Sequence, residues 1–219
     1  MITLPFELLL FIFSYLDNTS KRVISMTIKG FNYDYPMNVS NVCNINMFEW
    51  ALHMGCPTHN IVNTIVKIGC LETLKIALCK GFKVNQYTCS YAVVFGHLHI
   101  LKYVSNYGAL MEQCLCNYAV IDGYVDILKY LHESGCEITD HTCELCASFG
   151  HLDCLKYCIN YGCTFTVDTC VSNAIENGHI NILKYLYESG YPIDIKKYLL
   201  ISMKPECIEY LLSIQKIQK

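Results

Sequence analysis

The chain of 219 residues carries 16 Lys and Arg against 19 Asp and Glu, a formal net charge of −3, with 53% apolar and 16% charged residues. This composition excludes a disordered or acidic solvating tail, and the balanced charge argues against a nucleic-acid binder, which carries a basic excess on one face. The longest N-terminal apolar run, Leu8 to Leu16, has nine residues, whereas a bilayer span needs about 20. Pro5 and Glu7 stand where a signal peptide has its basic region, and no small-residue cleavage site follows. The expectation is a cytoplasmic monomer with no membrane contact and no cofactor. Fifteen cysteines form an odd set, and in a reducing compartment most of them are expected to be free thiols.

The first segment in chain order is apolar and punctuated. Pro5 suits the first turn of a helix, where no N–H is needed, and Leu8, Ile12 and Leu16 form an i, i+4, i+8 stripe. Leu4-Pro5-Phe6-Glu7-Leu8-Leu9-Leu10-Phe11-Ile12-Phe13-Ser14-Tyr15-Leu16-Asp17 resembles the opening of an F-box, with Val23, Met26 and Ile28 as a second helix and Phe31 where many F-boxes carry Trp. The resemblance implies that Leu4, Pro5, Leu8, Ile12 and Leu16 dock onto the Skp-type adaptor of a cullin–RING ubiquitin ligase. On the residues alone, 1–31 also reads as a helical cap. Residues 32–43 open an Asn-rich stretch that reads as a linker.

From residue 44 onward the chain repeats itself. Gly69, Gly96, Gly123, Gly150 and Gly178 are spaced by 27, 27, 27 and 28 residues, and Gly81, Gly108, Gly135, Gly162 and Gly190 follow them at a constant offset of 12. Between each pair runs a phrase such as Gly96-His97-Leu98-His99-Ile100-Leu101-Lys102-Tyr103. Val125, Ile127, Leu128 and Leu131 give a buried helical stripe, and Gly135 falls where a helix end wants positive φ. The preceding stretch, Cys116 to Asp122, carries Cys116, Ala119 and Val120 on one side, with Asn117 and Ile121 on the other. Helices this short are unstable alone and must stack on neighbours. The predicted fold is therefore all-α, an α-solenoid of helix-turn-helix units over residues 44–219. Five full units are capped by partial ones: Trp50-Ala51-Leu52-His53-Met54-Gly55 upstream, and Glu206-Cys207-Ile208-Glu209-Tyr210-Leu211 downstream, where Met203-Lys204 replaces Gly-His.

These units resemble ankyrin repeats. The likeness rests on the small residue four before the first Gly (Ala92, Ala119, Cys146, Ala174), on Gly-His at 96–97, 150–151 and 178–179, and on the Ile-Leu pair. It extends to the second Gly, followed three residues later by Val84, Met111, Ile138, Phe165 or Ile193. Ankyrin units usually have about 33 residues; the shortening falls where their β-hairpin finger would be. Short units of this kind are similar to those in ankyrin proteins of large DNA viruses of amoebae, which implies a host cytoplasmic setting.

Three constellations invite chemistry. Cys143 and Cys146, with Cys154 and Cys158 on the next helix, offer four thiolates for zinc. The neighbouring units place Cys89, Ala92, Ile100 and Val104 in those columns, so core thiols are the favoured reading. His97, His151 and His179 recur at one position and are expected to hold turns by hydrogen bonding, which with the lack of a P-loop argues against an enzyme. Lys75, Lys102, Lys129, Lys156 and Lys184 form a ladder with Glu72, Asp126 and Asp153 three residues ahead, read as a solvated face. Tyr103, Tyr130, Tyr157 and Tyr185 are expected to stack between units.

What varies from unit to unit is the outer face of the first helix: Ser90/Val94, Asn117/Ile121, Glu144/Ser148 and Ser172/Glu176. In stacked hairpins this row lines the concave partner-binding surface, and the loop residues Tyr87, His141 and Asp168 are expected to extend it. The function expected is a protein–protein interaction scaffold that binds a target protein. With the F-box-like segment it would be a substrate receptor for a Skp and cullin ligase; with that segment as a cap, a plain binding protein. A metal-dependent enzyme or sensor using the Cys143–Cys158 cluster is the third reading.

Overall fold

The computed structural model describes Ile45, Phe48, Glu49, Leu52, residues 60–201 and residues 204–217. The chain divides into two compact units, Met1–Ile61 and Val62–Lys219. In the first, Ile45, Phe48, Glu49 and Leu52 are helical and Phe48 is buried. The F-box-like residues 1–31, the linker 32–43 and most of the upstream partial unit lie outside the described residues.

The second unit is a run of helical hairpins. Their first, inner helices are α1 (Ile61–Ile68), α3 (Thr88–Val94), α5 (Leu115–Ile121), α7 (Asp140–Phe149), α9 (Val167–Asn177) and α11 (Ile195–Ile201). Their outer helices are α2 (Leu71–Cys79), α4 (Leu98–Asn106), α6 (Val125–Glu133), α8 (Leu152–Asn160), α10 (Ile180–Glu188) and α12 (Pro205–Ile217). Inner helices α3, α5, α7 and α9 pack in sequence, as do α6 on α8 and α10 on α12. No strand occurs among the described residues, so the loops that follow the outer helices carry no hairpin finger.

Both glycine series terminate helices by the same device. The amide two residues past the last turn reaches back five residues: His179 N–H to Ala174 O at 2.7 Å after α9, and Cys163 N–H to Cys158 O at 3.1 Å after α8. This closure needs positive φ at the glycine between, and all ten glycines of the two series have φ from 74° to 95°. Ile127, Leu128 and Leu131 on α6 sit against Cys116, Ala119 and Val120 of the same unit, all 2% exposed or less, which makes each hairpin one slice of a continuous core.

The two series differ in what lies beyond the glycine. A Cβ added at Gly123 would come within 2.4 Å of the His151 ring, and one at Gly150 within 2.4 Å of the His179 ring. At Gly96 the ring is Tyr124, at 2.8 Å. At Gly108, Gly135 and Gly162 nothing lies within 4 Å. The first series is therefore the seat for a side chain of the following unit, while the second is held only by its backbone angle. The last seat is filled differently: the Lys204 chain lies 3.5 Å from the Gly178 position, the substitution for His that marks the end unit.

Two outcomes follow for stability. Gly123→Ala and Gly135→Ala each force a side chain into the left-handed region, at about 1 kcal/mol. Gly123→Ala must also displace the His151 ring and should cost about 1–2 kcal/mol more. Urea titration of a double-mutant cycle checks this: in a His151→Ala background the extra cost of Gly123→Ala should vanish. The second outcome concerns pH. Burial pushes the thiols of Cys89 and Cys154 up to about 11 and those of Cys116 and Cys170 up to about 12. The folded state then keeps protons that the unfolded chain releases above its ordinary thiol pKa of about 8.5–9. Stability should be flat below that value and fall as pH rises through it, by up to about 1.4 kcal/mol per pH unit per buried thiol. Cysteines are numerous enough that circular dichroism should show cooperative alkaline unfolding near pH 10; unchanged helicity at pH 10.5 would contradict it.

Candidate functional site

The histidines of the repeat phrase hold turns by hydrogen bonding, as expected from the sequence, and the turns are those of the preceding unit. Nε2 of His97 donates to Lys67 O at 3.0 Å, that of His151 to Ile121 O at 3.0 Å, and that of His179 to Ser148 O at 2.8 Å. Each bond reaches from an outer helix N-terminus to the end of the previous unit's inner helix, so the rings are spent on joining units. His99 and Asn181 add a second bond beside them, to Gly69 O and Gly150 O, each at 3.1 Å.

The lysine ladder is spent in a similar way. Lys75 pairs with Glu72 at 2.7 Å and Lys129 with Asp126 at 3.7 Å, as expected of i, i+3 partners. Lys102, Lys156 and Lys184 lie over the rings of Tyr130, Tyr185 and Tyr210, each 5.5 Å from the centroid, so the adjoining tyrosine column interacts between units through lysines. Tyr130 Oη also meets Ser105 Oγ at 2.5 Å, and Tyr157 Oη meets His132 Nδ1 at 3.0 Å.

The predicted cysteine quartet is not brought together as drawn. Cys143, Cys146 and Cys158 share thiol hydrogen bonds, but the fourth partner is Cys163, whose Sγ lies 2.8 Å from that of Cys143. Cys154 is buried on α8 in its core column, and burial pushes its thiol up to about 11. No group of three or more His, Cys, Asp or Glu able to hold a metal ion occurs among the described residues. Twelve described cysteines are free, and Cys70 is disulfide-bonded. Cys163 follows the second glycine of its unit; its place in the period was visible, but the thiol it would meet was not.

The face proposed from sequence lies on the stacked inner helices. Val94 and Glu176 are exposed, and Ser90, Asn117, Ile121, Glu144, Ser148 and Ser172 are half-buried. Asn117 has a structural duty: its Oδ1 accepts the hydroxyl of buried Thr142 on the next unit at 2.8 Å. Glu144 faces His141 at 3.6 Å, and its backbone carbonyl accepts Asn173 Nδ2 at 3.4 Å. Asp168 points to the following unit, where Lys197 and the Tyr198 hydroxyl bind its carboxylate; these bonds, that of Lys197 first, hold it below the ordinary carboxylate range. Tyr87, at 53% exposure, remains open.

Sequence reasoning missed the adjacent columns. Phe95 and Phe149, each just before a first-series glycine, are 45% and 46% exposed, and Tyr118 is 39% exposed. With Val94 and Ile121 they put exposed or half-exposed apolar groups on the solvent side of α3, α5 and α7. Acidic groups are interspersed: Asp122 stands at the end of α5 between Phe95 and Phe149 in the same column, with Glu144 on α7 and Glu176 on α9. The signal was present in the period, because aromatic residues recur in columns outside the core stripe. An i, i+4 pair is simply too narrow to describe the solvent side of a helix whose buried stripe spans about 100°.

No helix among the described residues is long and apolar enough to cross a membrane. The family model described as ankyrin repeats (3 copies) matches residues 117–198. No curated protein matches the sequence. Among 95 solved chains that match is the crystal structure of the human ASB11 ankyrin repeat domain, with a TM-score of 0.65 at 15% identity, covering 82% of this chain and 97% of that one. At that identity the likeness concerns the fold, an ankyrin-repeat-like solenoid, and residues 117–198 match ankyrin repeats, units that indicate a scaffold for protein–protein interaction.

Proposed function

We propose that the inner-helix face captures a partner protein and that residues 1–31 deliver it to a Skp-type adaptor and cullin ligase. The observation that carries the capture half is the exposed apolar patch of Val94, Phe95, Tyr118 and Phe149. On the outer helices Lys102, Lys156 and Lys184 lie over tyrosine rings, and on the inner face Val94, Phe95, Tyr118 and Phe149 are exposed. An exposed patch rimmed by polar residues marks an interaction surface. Ser90, Asn117, Ile121, Glu144, Ser148, Ser172 and Glu176 frame it, and Asp122, Glu144 and Glu176 favour a partner segment that carries Lys or Arg among apolar side chains.

The delivery half rests on the F-box-like order of Leu4, Pro5, Leu8, Ile12 and Leu16. Positioning is then the whole mechanism, with two docking sites on one chain raising the effective concentration of target at the ligase.

Two double variants of the full chain separate the halves. Val94→Asp with Phe149→Asp should weaken partner binding about tenfold or more while adaptor co-purification and helicity persist. Leu8→Asp with Ile12→Asp should abolish adaptor binding and leave partner binding intact. Adaptor binding unchanged by the second pair removes the ligase role and leaves residues 1–31 as a cap. Peptide display on the full chain should return sequences with aromatic or aliphatic residues interspersed with Lys or Arg; enrichment of acidic peptides would overturn the charge argument.

A further inference from the structure

We propose that Cys143 and Cys163 are an oxidative modification site, at which a peroxide-class oxidant closes an intramolecular disulfide within the fourth hairpin. Cys143 lies on α7, facing the core, and Cys163 lies in the loop after α8. Their sulfurs are 2.8 Å apart, so forming a bond of about 2.05 Å needs only a small approach. The Cys143 thiol donates to Cys163 Sγ, and the Cys163 thiol donates to Thr139 O at 3.2 Å.

Access decides which sulfur reacts first. Cys143, Cys146 and Cys158 have no exposed surface, while Cys163 is half-exposed. Peroxide therefore meets Cys163. The Cys163 thiolate attacks one peroxide oxygen, the O–O bond breaks, and Cys163 becomes a sulfenic acid as hydroxide leaves. The Cys143 sulfur then attacks the Cys163 sulfur, the S–O bond breaks, and water leaves with the Cys143 proton. In sum, two thiols and one hydrogen peroxide give one disulfide and two waters: the two sulfurs lose the two electrons that peroxide gains.

The period supplies an internal comparison. One unit earlier, the same two columns hold Cys116 and Cys136, and their thiols also hydrogen-bond. There the Cys136 sulfur approaches Glu112 O, the counterpart of Thr139 O, at 3.9 Å. Cys136 is 4% exposed, so the equivalent pair is shielded where Cys163 is not. Burial pushes the Cys163 thiol up to about 12, which makes its thiolate scarce at neutral pH and the reaction faster in mild alkali.

The test uses the reduced full chain, treated with hydrogen peroxide at pH 7.5 and pH 8.5, alkylated, and digested without reductant. Mass spectrometry should find the Cys143 peptide joined to the Cys163 peptide, forming about tenfold faster at the higher pH and well before any Cys116–Cys136 link. Oxidation should raise Tm by about 5 °C, because the bridge closes a loop in the unfolded chain. Cys143→Ala should leave a Cys163 sulfenic acid that dimedone traps, and Cys163→Ser should abolish both the link and the Tm rise. Should Cys143→Ala fail to fold, Cys163→Ser carries the same comparison from an accessible loop position. Links distributed equally among Cys143, Cys146, Cys158 and Cys163, or the same pattern in urea-unfolded chain, would overturn the proposal.

Discussion

The contact on which the array depends is a ring from one unit resting on a glycine of the unit before it, with the ring nitrogen reaching past that glycine to a backbone carbonyl. Helices of seven to thirteen residues are marginal alone in water, and the core columns supply most of the attraction. Apolar columns alone, however, permit sliding and rotation between slices. His151 removes that freedom, since its ring fits only where Gly123 offers no Cβ and its Nε2–H finds Ile121 O only at that register. The glycine thus answers two demands at once: a left-handed closure for its own helix and an empty seat for the next unit. Where Tyr124 replaces histidine, the seat at Gly96 is still occupied by an aromatic ring.

This economy shapes where function can reside. Histidine, lysine, tyrosine and aspartate are the side chains from which sites are usually built, yet here most of them face another unit. Asp168 illustrates the point: expected in a loop as a partner contact, it stands exposed in the first turn of α9 and is bound by Lys197 and Tyr198 across the unit boundary. Asn117 likewise gives its oxygen to Thr142. The inner-helix face carries exposed apolar groups at Val94, Phe95, Tyr118 and Phe149 and little special chemistry. Surfaces of that kind suit recognition of another macromolecule, whose own apolar groups complete the burial.

The period made the architecture readable, and the reasons are physical. Glycine at two fixed phases reports backbone angles that few other residues tolerate, and Ile127-Leu128 with Leu131 reports a stripe that must be buried; neither signal depends on knowing a neighbour. Cross-unit partners were illegible because a column says which residues are equivalent and nothing about what lies opposite them. Hence the histidines were expected to hold turns without naming which unit's, and Cys154 entered the zinc alternative beside Cys143, Cys146 and Cys158 on helical spacing alone. Spacing within a helix carries no information about the loop after it, which is how Cys163 escaped the cluster. The proposed binding face was drawn as i, i+4 pairs and so omits the exposed Phe95, Tyr118 and Phe149 beside them. The F-box-like segment rests on its sequence pattern, outside the described residues.

The fourth hairpin carries the sharpest internal tension. In its core columns Cys146 replaces the alanine of its neighbours, and Cys154 and Cys158 replace their larger aliphatics. Cysteine there is a small hydrophobe, and its burial is favourable only while each sulfur keeps its proton and its reduced state. Inner helix α7 bears Cys143 and Cys146 on its buried side and Glu144, Ser148 and Phe149 toward solvent. A bond between Cys143 and Cys163 would therefore fix the loop beneath that helix without passing through any distant element. Because α7 is itself packed between α5 and α9, its position sets the spacing of the apolar and acidic groups on the same face. On the proposed oxidation and the proposed capture, oxidation state and partner affinity would be linked through one ten-residue helix, and the sign of that linkage would follow from which state holds α7 in the register that the partner binds.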